Sequence, residues 1–169
     1  MDRKAVLEAM DAIRDCALVM MENASYVQQE LPRVEMSEAL RSRTAEVCES
    51  MVGTKHDVIS ELFELDELLQ PEGDQAEVSS PQAETGQAAA ASRQAEPTAA
   101  EVSSRIERVI AWLWEDISRM HELVLALHAD SQKNDDYTLA LVLVQESAAN
   151  IINAFNRAKA AAEALPGEK

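Results

Sequence analysis

Two histidines, His121 and His128, stand seven residues apart, and Trp114 precedes the first of them by the same interval. Seven residues rise about 10 Å along a helix, so both imidazoles cannot ligate one metal ion directly. Glu122 and Asp116 are near enough in sequence to add oxygen ligands, yet no Glu-x-x-His pair of the kind di-iron bundles use is present. The column reads as the flank of a helix, and no metal or cofactor is expected.

Other chemistry-bearing residue types lead to the same place. Carboxylate pairs such as Glu115/Asp116 and Asp135/Asp136 occur in a chain with 31 acidic residues, and such pairs signal catalysis only inside a concave site that splits their pKa values. No serine occupies a G-x-S-x-G elbow, and four glycines are too few for a phosphate-cradling loop. Cys16 and Cys48 are the only cysteines, and neither has metal-type spacing. They read as small apolar residues of a reducing compartment, although a disulfide between them stays open. No catalytic residue is assigned, and no enzymatic activity is expected.

Net charge narrows the partners. The chain carries −16, with residues 1–70 holding 15 acidic against 7 basic side chains. Such a charge repels phosphate backbones and anionic lipid, so direct binding to nucleic acid or membrane is not expected. Solubility accounts for much of it; a basic protein partner, or mimicry of nucleic-acid charge, would use it. The opening MDRKAV is not a signal peptide, and no apolar run approaches the roughly 18 residues of a membrane span. A cytoplasmic location follows as the expectation.

The elements that must position any site are helices. Ala, Leu, Met, Glu and Gln dominate, aromatics number six, and the Gly/Pro punctuation of β-architectures is missing. Val6, Met10, Ile13, Ala17, Met20, Ala24, Val27 and Leu31 keep a 4-3 spacing that predicts a helix over about 3–31. Pro32 marks a tight junction to an antiparallel neighbour. Met36, Leu40, Thr44, Val47, Met51, Thr54 and Val58, then Leu62, Leu65 and Leu69 after a stutter, predict a second helix over about 33–70. Gly53 should bend it, fray it or admit a close neighbour.

Residues 71–97 lose all periodicity and read as a low-complexity flexible linker. Thr98 and Glu101 form a capping-box pattern ahead of Ile106, Ile110, Leu113, Ile117, Met120, Val124 and Leu127, predicting a helix over about 99–129. Polar residues 130–136 turn the chain, with Asp135 or Asp136 as N-cap, and a last helix is expected over about 136–165. Within it YTLALVLV (137–144) resembles a buried strand. Its phase continues through Ala148, Ile151 and Phe155, which makes it the first turns of a helix.

The chain is therefore all-α: an N-terminal hairpin (1–70) and a C-terminal hairpin (98–169), joined by the linker. A hairpin alone is marginal in water, so a four-helix bundle with coiled-coil-like packing is expected, within the chain or by dimerisation.

Two groups of residues are candidates for an interface. Arg105, Trp112 and Arg119 share a line at spacing seven, with Trp112 placed outward and Trp114 at the boundary; Trp and Arg are the usual anchors of interfaces. Leu139, Val142 and Leu143 lie off the seam of the last helix and need a cover from the other hairpin or another subunit, which would make this end the most heavily buried. The function these features favour is a non-catalytic acidic interaction or regulatory protein, of adaptor, chaperone or inhibitor type, and a homodimer. The alternatives are a self-assembling structural protein and a nucleic-acid charge mimic.

Overall fold

A computed structural model describes residues 2–70 and 97–165. The linker reading for 71–97 falls outside these residues, Pro97 excepted. Four long helices make up the fold: α1 (Arg3–Glu30), α2 (Glu38–Leu69), α3 (Ala99–Ser131) and α4 (Thr138–Glu163). They pack in a ring, α1 on α2, α2 on α3, α3 on α4 and α4 back on α1, so one chain closes the four-helix bundle. YTLALVLV lies at the start of α4, as its phase requires.

Local signals set the helix ends. Asp2 caps α1 through the amides of Lys4 and Ala5, and Ser37 caps α2 through Leu40. Thr98 and Glu101 form the full capping box of α3, with the Thr98 amide donating to Glu101 at 2.9 Å. That bond to the ionised carboxylate holds the Glu101 pKa below its usual value.

Two boundaries differ from the sequence reading. The turn after α1 is a 3-10 helix, Leu31–Arg33, and α2 begins at Glu38 rather than at residue 33. Pro32 sits in that single turn, and Arg41 reaches back to donate to the Leu31 and Val34 carbonyls, the latter at 3.0 Å. The junction is thus held by a guanidinium that satisfies carbonyls the chain reversal leaves free. At the second turn neither Asp135 nor Asp136 caps α4; both belong to the 3-10 turn Asp135–Tyr137, whose cap is Asn134.

Every seam residue of α1 is buried, and the seams of the other helices are buried or half-buried throughout. Beside each seam runs a second buried stripe: Ala9 and Cys16 on α1, Cys48 on α2, Val102, Val109, Asp116 and Leu123 on α3, and Ala140, Leu143, Ser147 and Ala154 on α4. A helix in a closed ring faces two neighbours, so its buried arc is wider than one seam. Leu143, off the seam, has the cover that the sequence reading required, being 8 % exposed and part of the core, while Leu141 on the seam is only half-buried.

That ring also explains the hydropathy of the last element. Asp135–Glu163 is long and apolar enough to cross a membrane by length and composition alone, although no uninterrupted apolar run reaches that length. In the bundle this apolarity serves the two buried stripes that face α1 and α3.

α2 runs through Gly53 without a break. Nothing lies within 4 Å of where a Cβ would sit on Gly53, so no close helix approach explains the residue. Gly53→Ala is expected to raise stability by about 0.5–1 kcal/mol, read as a higher urea midpoint at unchanged m.

Candidate functional site

The two candidate groups land on opposite sides of the C-terminal hairpin. Arg105, Trp112 and Arg119 face α2. Arg105 pairs with Glu61 at 3.4 Å and Glu64 at 3.6 Å, and Arg119 donates to the Ser50 hydroxyl at 2.9 Å. Between them Trp112 is half-buried and packs against the core. The sequence reading placed Trp112 on the outer face; the difference arises because α3 touches α2 on that flank as well as α4 on the other.

This α2–α3 seam is the polar side of the bundle. Asp116 is buried, accepts from Ser50 at 2.7 Å and lies 3.5 Å from Arg119, while its second oxygen has no hydrogen-bond partner. Arg43 and Glu122 close the seam nearer the loops at 2.9 Å. A buried carboxylate with one unmatched oxygen is weakly stabilising at best, and its partners fix register more than they add stability. Trp112→Ala is expected to destabilise the fold by about 2 kcal/mol, because it removes a half-buried ring from the core. Chemical denaturation checks it; unchanged stability would return Trp112 to the surface role.

On the other flank Trp114 is 56 % exposed, its ring tilted against Phe155 of α4 with centroids 5.5 Å apart. His121 and His128 continue that flank and are exposed. Among the described residues no group of three or more His, Cys, Asp or Glu side chains is placed to hold a metal ion.

The start of α4 is not the most heavily buried end. Leu139 is 69 % and Val142 43 % exposed, and Leu125 on the facing turns of α3 is exposed as well. The N-terminal hairpin covers Leu143 and leaves these side chains in solvent. No residue pattern short of the helix phases could have separated Leu143 from Leu139, since the two differ by a single turn. The tertiary neighbours of α4 decided it.

The α1–α4 seam is built differently again. Asn23 and Asn150 meet at 3.3 Å, and Arg157 lies near Cys16. Ala9, Cys16 and Asn23 repeat every seven residues on α1, and Ala154 and Ala158 are buried on α4. The sequence reading placed Cys16 next to the seam as a small apolar residue and did not single out Ala9, Asn23 or Ala154.

Cys16 and Cys48 are both buried free thiols. Burial pushes each pKa from 9.0 to about 12, since a thiolate would lose its hydration. The folded pKa is raised, so the stability from burying the neutral thiols is full below pH 9 and declines as pH rises toward about 12. Neither thiol should react with an alkylating reagent at pH 8 until urea unfolds the protein. Cys16→Ala/Cys48→Ala should flatten the alkaline loss of stability.

Compared with protein-family models, with characterised proteins and with solved structures, the chain finds no match.

Proposed function

We propose that this protein is a non-catalytic helical adaptor or regulator that binds a basic protein partner through the acidic outer faces of its bundle. What supports the reading is the uneven distribution of charge around the ring. α2 carries eight acidic and three basic residues and α3 six and three, whereas α4 carries two of each. On α2, Glu46, Glu49, Asp57, Glu64 and Glu67 recur at 3-4 spacing with Gly53 and Ser60 between them, and all are exposed. A stripe of this kind steers and orients a positively charged surface, and it repels acidic competitors.

A charge mimic of nucleic acid is the weaker alternative. It needs a continuous array of free anions, and Glu61, Glu64, Glu115, Asp116 and Glu122 are engaged by Arg43, Arg105, Arg108 and Arg119. The two buried free thiols suit a reducing, cytoplasmic setting.

Glu46, Glu49, Asp57 and Glu67 lie outside the ion pairs found among the described residues. Glu46→Gln/Glu49→Gln/Asp57→Asn/Glu67→Gln should leave the helical circular dichroism unchanged. It should weaken binding to the partner captured from native cells by about tenfold or more, with wild-type binding falling as salt rises. A captured partner held equally well by both proteins, at all salt concentrations, would overturn the proposal.

A further inference from the structure

Among the described residues three buried side-chain atoms lack a hydrogen-bond partner: Glu61 Oε1, Arg105 Nη1 and Asp116 Oδ2. All three lie on one seam of the ring, between α2 and α3. Glu61 and Arg105 stand 3.4 Å apart as an ion pair that forms no hydrogen bond. Asp116, 2 % exposed, is the one buried charged residue among those described, and only its first oxygen is matched, accepting from Ser50 at 2.7 Å. Unmatched buried groups are rare in folded proteins, and each has a physical cause. Their concentration here makes this seam unlike the one across the ring. There α1 and α4 share the Asn150–Asn23 hydrogen bond and, among the described residues, no ion pair.

We propose that the bundle opens along the α2–α3 seam while the α1–α4 seam stays closed as the hinge. Hydration decides which seam parts. Separating α1 from α4 wets buried apolar side chains and recovers hydration for little besides one amide pair, so the hydrophobic effect opposes it almost in full. Separating α2 from α3 also wets apolar groups, Trp112 among them. It hydrates the three unmatched polar atoms and the ion pairs around them as well, which offsets much of that cost.

Chain connectivity permits the motion. Short turns tie α1 to α2 and α3 to α4, so each hairpin moves as a unit, and no short turn ties α2 to α3. Local opening of this kind costs less than global unfolding and precedes it. Parting the seam releases Glu61 and Glu64 from Arg105, and Glu61 from Arg108. Those arginines of α3 are an internal cover over carboxylates of α2. Opening needs no partner and is independent of the adaptor reading.

Thiol labelling at pH 8 without denaturant reads the two seams separately. Val109 is 1 % exposed and stands seven residues before Asp116, so Val109→Cys in a Cys48→Ala background reports the α2–α3 seam. Cys16, buried near Arg157 of α4, reports the α1–α4 seam. With each rate divided by its value in urea-unfolded protein, Val109→Cys should label about 100-fold faster than Cys16 or more. Leu123→Cys, seven residues after Asp116, is the second reporter should Val109→Cys not fold. Ser50→Ala/Asp116→Leu makes the centre of the seam apolar. It should keep or raise the urea midpoint and cut the ratio of the two rates by about tenfold. Equal labelling at both seams means the bundle opens only as a whole and overturns the proposal, as does a faster Cys16. An apolar pair that lowers the midpoint, or leaves the ratio where it was, overturns it as well.

Discussion

The contact between α1 and α4 is what makes one bundle of two hairpins. Short turns hold α1 to α2 and α3 to α4, but the first and last helices are joined only through their side chains, by packing and the Asn150–Asn23 hydrogen bond. Small side chains are buried on both helices, Ala9, Cys16, Ala17 and Ala24 on α1 and Ala140, Ala148, Ala154 and Ala158 on α4. Small residues let two helix backbones approach closely, and dispersion then accumulates over many short contacts. A larger side chain in this column would push α4 outward and loosen both of its seams at once. The ring, the double buried stripe on each helix and the placement of Leu143 inside the core all depend on this approach.

The opposite closure, between α2 and α3, works by other means. Ser50, Asp116 and Arg119 form a partly buried polar cluster, while Glu61, Glu64 and Arg105 form an ion-pair group near the α2 C-terminus. Such pairs add little net stability, since desolvation offsets most of their attraction. They do fix which residues of α2 meet which residues of α3. An alanine seam holds the hairpins together, and a polar seam sets their register. The two leave distinct surfaces: an acidic stripe along α2, and a charge-poor strip along α4 that none of the other described helices covers.

Much of the scaffold was legible because its signals are local. The 4-3 rhythm of Val6 through Leu31 and the Thr98–Glu101 capping box need no tertiary information. Turn detail was harder to read. Pro32 suited the first turn of a helix, but in the folded chain Arg41 stabilises a separate 3-10 turn there and α2 starts later. Gly53 looked like a weak point and lies in an unbroken helix, because packing of Met51 and Val58 on either side outweighs one glycine.

The sequence by itself determined that this chain is helical, where its seams run and that its charge is strongly negative, because periodicity, capping and composition act within a few residues. Tertiary structure alone decided which residues flanking those seams are covered. Trp112 was placed on the outer face and Leu143 off the seam, and in the bundle Trp112 is half-buried and Leu143 buried. Leu139 and Val142 stay exposed because each helix of the ring has a side that none of the other described helices covers.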